Sequence, residues 1–205
     1  VIPPARVGND PMPLYLVPDN RVAMDGAVCL DGPHPGYYFQ PSPANASAAD
    51  RTSWVLYFKG GGWCYDEASC ALRAKSQLGS SKDLAKTFAF SGPMDSSPAV
   101  NPDFANFNRV VMWYCDGASF SGNNDTPYVY QDPASGKNQT LYFRGARVLG
   151  AILDTLKAKH GLGSATQVLL SGGSAGGLST FLHADRVQDH HQVGHIAAHV
   201  LTHKA

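Results

Sequence analysis

Ser174 stands in a run of small residues, Gly172-Gly173-Ser174-Ala175-Gly176. The apolar residues Val168 to Leu170 lead into it through Ser171. A helical pattern follows, with Leu178, Phe181 and Leu182 on one face. Strand, sharp turn and helix, in that order, is what a nucleophile elbow requires. The hydroxyl must sit at the tip of a strained turn, so its neighbours must lack bulk. Glycine tolerates such backbone angles and lets strand and helix come close. The same turn sets the Ala175 N–H at a helix N-terminus, where it can donate to a developing oxyanion. The chemistry this permits is acyl transfer through Ser174. Glycine-serine turns of this pattern also occur without chemistry, and the flanking strand and helix are what separate this one from them.

Acyl transfer needs further oxyanion donors, expected from a glycine-rich loop after an earlier strand. Trp54 to Phe58 is a near-continuous apolar run, as a strand buried on both faces would be, and it ends in Gly60-Gly61-Gly62. Without side chains, the N–H groups of Gly61 and Gly62 can approach a carbonyl oxygen closely. Two glycine knots at strand ends, in the expected order, say more than either alone.

The elements that must position these groups follow from pattern. Leu14 to Val17 starts a first strand. Ala27–Leu30 and Gly36–Phe39 read as a hairpin around Asp31-Gly-Pro-His-Pro35. Arg109–Tyr114 reads as another buried strand, and residues 117–140 as a long polar loop. Arg144–His160 keeps a helical period through Val148, Leu149, Ile152, Leu153 and Leu156, with Gly161 at the C′ position. Strands alternating with helices in the second half point to an α/β layer fold in one domain.

Composition bounds the partners. Sixteen basic and sixteen acidic residues balance, so no basic field draws nucleic acid or an anionic membrane. No apolar run reaches the roughly 18 residues of a membrane span. A metal or cofactor is not expected: there is no C-x-x-C pair, and His195 and His199, although spaced i, i+4, enclose no glutamate. Four cysteines allow three pairings. Cys64–Cys70 would close a loop of about seven residues, worth roughly 2.4 kcal/mol, and Cys29–Cys115 one of about 87, worth roughly 4.6 kcal/mol; these two are adopted. Asn45, Asn124 and Asn138 open N-x-S/T sequons in polar stretches and are glycosylation candidates. Cysteines and sequons together favour a secreted, extracellular protein.

The chain resembles the pectin acetylesterase family of plants. The matching segments are CLDGPHPGYYF, YFKGGGWC with SC shortly after, LGSSK, FSG, NPDFANFNRV, YCDGASFSG, LYFRGAR and LSGGSAGGL, in order from about residue 14 to 187. The resemblance implies an α/β-hydrolase-like fold and a serine carboxylesterase that removes acetyl groups from cell-wall pectin, a homogalacturonan polysaccharide. It implies Ser174 as nucleophile, Gly61, Gly62 and Ala175 as oxyanion donors, and the same two disulfides. It also implies secretion to the plant cell wall, and a monomer is expected. Two other functions are weighed: a catalytically dead polysaccharide-binding or interaction protein, and a Notum-like lipid-ester deacylase.

Three departures from the family pattern stand out. Gly173 replaces a frequent cysteine. Lys59 replaces the usual glutamate, reversing a charge beside the glycine loop. The third is the largest. The resemblance puts the triad's Asp and His well beyond residue 205, so the fold is expected to be truncated after the elbow helix, with acid and base not present. Residues 1–188 then form the N-terminal part of a hydrolase domain, and 189–205 a divergent tail carrying His190, His191, His195, His199 and His203. His183 and Asp185 lie too close to Ser174 in sequence to serve as base and acid, and are read as structural or exposed.

Overall fold

The structure, a computed structural model, describes residues 9–191 and 196–200. Its elements run β1 (Met12–Leu16), α1 (Asp19–Asp25), β2 (Gly36–Gln40), α2 (Ala48–Arg51), β3 (Ser53–Phe58), α3 (Glu67–Arg73), β4 (Thr87–Phe88), β5 (Asn108–Met112), β6 (Tyr128–Gln131), β7 (Asn138–Leu141), α4 (Gly145–His160), β8 (Gln167–Gly172), α5 (Ala175–His191) and β9 (Ile196–Val200). Among the described residues, seven strands form one sheet in the order β4-β1-β2-β5-β3-β8-β9. The β1, β2 and β4 pairings are antiparallel, as is β2 with β5, whereas β5, β3, β8 and β9 run parallel.

Strand alternation divides the sheet into two covered faces. Trp54, Leu56 and Phe58 of β3 and Val168 and Leu170 of β8 pack with Val148, Leu149, Ile152, Leu153 and Leu156 of α4. Val55, Val111 and Leu169 face the other way, against Leu84, Phe90, Met94 and Phe107 from the long connections. Burial on both sides explains why β3 reads as a continuous apolar run. Gly161 ends α4 in the left-handed region at φ +82°, its N–H bonded to the Leu156 carbonyl.

Three sequence expectations change. Residues 27–30 form no hairpin arm; β2 pairs instead with β1 and β5. The reason is that Cys29 is bonded to Cys115 and the Leu30 N–H donates to the Cys115 carbonyl at 2.8 Å, so this segment is an anchor and not a ladder strand. The 117–140 loop carries the two-stranded ribbon β6–β7. Leu178, Phe181 and Leu182 of α5 are exposed, and the buried face is instead Ala175, Gly176, Gly177, Ser179, Thr180, His183 and Val187. Small residues let this helix lie close to the sheet.

The sheet continues past the elbow helix, because β9 pairs in parallel with β8. The side chains of His190, His191, His195, His199 and His203 lie outside what is described. Two disulfides are present, Cys29–Cys115 and Cys64–Cys70. Replacing Cys29 and Cys115 by alanine should lower the unfolding free energy by about 4.6 kcal/mol in the loop-entropy limit, measured by urea denaturation. A loss under about 1 kcal/mol would show that this bridge does not tether the 27–30 anchor.

Candidate active site

β8 ends at Gly172 and α5 begins at Ala175, so Gly173 and Ser174 alone reverse the chain. Ser174 adopts φ +55°, the left-handed region. For a residue with a Cβ this costs about 1–2 kcal/mol. Its side chain is exposed, while Gly172, Ala175, Gly176 and Gly177 around it are buried. The turn closes through Gly176 N–H to the Gly173 carbonyl at 2.9 Å and Leu178 N–H to the Ser174 carbonyl at 3.2 Å. A Cβ on Gly172 would stand 2.3 Å from the Gly176 carbonyl oxygen, so the strand can enter the turn only as glycine.

The triple-glycine loop leaves the neighbouring strand at the same level, since Phe58 of β3 is in register with Gly172 of β8. The contact between loop and elbow is backbone against backbone. A Cβ on Gly60 would lie 2.2 Å from the Gly173 oxygen, and one on Gly176 2.0 Å from the Phe58 oxygen. Gly61 and Gly62 have φ +151° and +66°. Their carbonyls are tied down: Arg73 Nη1 donates to Gly61 at 3.0 Å and the Tyr114 hydroxyl to Gly62 at 2.9 Å. Among the described residues, the N–H groups of Gly61, Gly62 and Ala175 donate to no partner. An exposed hydroxyl beside free amides at a helix N-terminus can take part in acyl transfer through a tetrahedral oxyanion.

Sequence reasoning named one support of this loop, the Cys64–Cys70 bridge, and missed the others. Arg73 lies over the Tyr114 ring at 4.7 Å and also donates from Nε to the Leu78 carbonyl. The Cys64–Cys70 bridge and the Cys64 N–H to Gly117 carbonyl bond fix the loop's far end. Asp66 and Ser69 form a capping box on α3, which holds Cys70 in place. Lys59, the charge reversal, is half-buried; its ammonium donates to the Gly60 carbonyl at 3.2 Å and lies 5.7 Å from the Trp113 ring. Burial lowers its pKa.

Asp116 is buried beneath the loop. Its carboxylate accepts from the Ala118 and Phe120 N–H groups, and a Cβ on Gly145 would lie 2.1 Å from Oδ2. Burial pushes its pKa up to about 6, opposed by those two hydrogen bonds and by Arg73. His183 is buried on α5 with Nε2 bonded to the Ser119 carbonyl at 2.9 Å, and burial lowers its pKa. Asp185 is exposed. The sequon residues Asn45, Asn124 and Asn138 are all exposed. Among the described residues, no group of three or more potential ligands could hold a metal ion.

Comparison with known proteins decides the family. The Pectinacetylesterase family profile matches residues 6–200. The chain belongs to the pectinacetylesterase family. That match takes in residues 189–200, which the sequence set apart as a tail. Pectin acetylesterase 5 of Arabidopsis thaliana is 43% identical over 80% of this chain, and pectin acetylesterase 7 of the same plant is 44% identical over 87%. The chain spans only 36% and 42% of the lengths of those two relatives. The solved structure of the Wnt deacylase Notum from Drosophila superposes with a TM-score of 0.73 at 26% identity, over 93% of this chain and 52% of that one. The fold of this pectinacetylesterase family member is therefore α/β-hydrolase-like.

Two outcomes follow from the geometry. Ser174→Gly should stabilise the fold by about 1 kcal/mol in urea denaturation, because glycine relieves the left-handed strain. Ser174→Ala keeps the Cβ and should give no such gain; equal stabilities for the two variants would mean that the elbow is unstrained. Asp116 supplies a pH signature. Its unfolded pKa is near 3.9, so the folded state holds an extra proton up to about pH 6. Its contribution is fully present below about pH 4 and is lost as pH rises through about 6. Asp116→Asn should flatten that part of the stability–pH curve. Parallel curves for the variant and the parent between pH 4 and 7 would remove Asp116 as the titrating group.

Proposed function

We propose that this chain carries the nucleophile half of a serine carboxylesterase that removes acetyl groups from cell-wall pectin. Ser174 is the nucleophile, and the Gly61, Gly62 and Ala175 N–H groups receive the oxyanion. The observation that supports this best is the exposed Ser174 at φ +55°, on an elbow in direct backbone contact with the glycine loop. Attack of the hydroxyl oxygen on the acetyl carbonyl forms a tetrahedral oxyanion. Its collapse breaks the bond to the sugar oxygen, which leaves as a hydroxyl carrying the proton the serine gave up. Water then cleaves the acetyl–Ser174 ester to release acetate and restore the hydroxyl. Trp63, half exposed beside the glycine loop, forms a wall against which the acylated sugar can lie. In this proposal the protein is secreted to the cell wall and acts as a monomer, with glycans on the exposed Asn45, Asn124 and Asn138.

Among the histidines with described side chains, none is bonded to Ser174. His34 faces the Val17 carbonyl, His160 the Tyr37 hydroxyl and His183 the Ser119 carbonyl. The general base and acid belong, in this reading, to the part of the longer relatives that this chain does not span. The 205 residues alone then retain the oxyanion site without the base, which leaves about 10³–10⁴-fold over water. Likeness to Notum, which in Mus musculus is a palmitoleoyl-protein carboxylesterase, favours a second reading, removal of a longer acyl chain. Higher identity to the plant relatives favours the acetyl ester.

The test is release of acetate from acetylated pectin, set beside release of a long acyl chain from a lipid ester, for the parent chain and Ser174→Ala. Slow acetate release that vanishes in Ser174→Ala is expected. Release unchanged by the substitution, or a preference for the long chain, would overturn the acetylesterase assignment.

A further inference from the structure

We infer that Ser119 is a positioning residue that locks the glycine loop and the elbow helix into one unit and thereby sets the spacing of the oxyanion donors. The inference rests on the reading of Ser174 as nucleophile. Ser119 and Phe120 are buried and adopt φ +52° and +59°. Two consecutive left-handed residues with side chains are costly, and neither is glycine. Something at this turn therefore requires the Ser119 side chain.

Every polar group of Ser119 is used, and together they reach both halves of the site. Its N–H donates to the Tyr114 hydroxyl at 3.2 Å, and that hydroxyl donates to the Gly62 carbonyl. Its hydroxyl oxygen accepts from the Trp63 indole N–H at 2.8 Å and donates to the Ala175 carbonyl at 3.0 Å. Its carbonyl faces His183 Nε2. Two links thus run to residues 62–63 of the loop. Two more run to α5, at its first residue and near its middle. Asp116, accepting from Ala118 and Phe120, holds the turn in shape from below.

The chemistry of the side chain matters here. The bridge between Trp63 and Ala175 needs an atom that accepts and donates at once, which a hydroxyl does and a methyl does not. Threonine could do the same, but its branched Cβ is disfavoured at this φ. The stability contribution is modest, because Trp63 is half exposed and the Ala175 carbonyl also accepts from the Ser179 hydroxyl. The geometric contribution is larger. A misplacement of about 1 Å in a catalytic site can cost about 100-fold.

Ser119→Gly separates the two roles, because glycine keeps the left-handed turn and removes the hydroxymethyl group that makes the bridge. The first readout needs no turnover. In NMR spectra the Trp63 indole N–H, assigned with Trp63→Phe, should shift. The hydrogen-bonded Cys64, Gly176 and Leu178 amides, which flank the oxyanion donors, should exchange about tenfold faster, with the α4 amides unchanged. An unmoved indole with parental exchange rates, or acceleration spread equally into α4, would overturn the inference. The second readout is hydrolysis of p-nitrophenyl acetate, where kcat should fall about tenfold and KM change by less than about twofold. An unchanged kcat, or a loss wholly in KM, would also overturn it. A parental chain that shows no turnover refutes the esterase reading for this chain, and the NMR readout still decides the role of Ser119.

Discussion

Two stretches of backbone touch with no side chain between them, and the rest of the molecule is arranged around that contact. Gly60 lies against the Gly173 carbonyl, and Gly176 against the Phe58 carbonyl. Parallel pairing of β3 with β8 brings the two strand ends level, so the loops that leave them must either collide or be glycine. They are glycine, and the amides of both loops are left free beside an exposed hydroxyl. A single methyl at Gly60 or Gly176 would have to displace backbone, which cannot yield as a flexible side chain can.

Strain and support are distributed unevenly around this contact. Among the described residues, the non-glycine residues with positive φ are Ser119, Phe120 and Ser174, all in the two turns that meet at the site. Such angles persist only where surrounding packing over-determines them. The packing is present: α4 closes over one face of the sheet, Asp116 sits beneath the 117–120 turn, and Arg73 and Tyr114 hold the carbonyl side of the glycine loop. The Cys64–Cys70 bridge fixes the loop just past its last glycine. Rigid elements position the site; of its strained residues, Ser174 is exposed to the chemistry, while Ser119 and Phe120 are buried.

How much of this was legible in the sequence depended on whether a local rule carried the information. The elbow and the glycine loop were legible because a tight turn and a close backbone approach each demand glycine. Helix α4 was legible from its period and its terminal Gly161. The 27–30 segment misled as a hairpin arm, because its apolar pattern suits a strand; its bridge to Cys115 was legible, but not that the bridge and the Leu30–Cys115 backbone bond would hold it off the ladder. Helix α5 misled for the opposite reason: the pattern points to Leu178, Phe181 and Leu182 as the inner face, but only small residues fit against the sheet. Ser119 gave no signal at all. A serine in a polar loop looks ordinary, and its role exists only once Trp63, Tyr114, Ala175 and His183 are brought around it.

The account stands on the claim that an oxyanion formed at Ser174 is received by amides from both loops. The direct measurement is a crystal structure of this chain after prolonged incubation with a small fluorophosphonate. The account predicts an adduct on Ser174 whose phosphoryl oxygen lies about 2.7–3.1 Å from the Ala175 N–H and from the N–H of Gly61 or Gly62. An adduct whose phosphoryl oxygen faces solvent, away from residues 60–62, or an adduct on another serine with Ser174 unmodified, would contradict it.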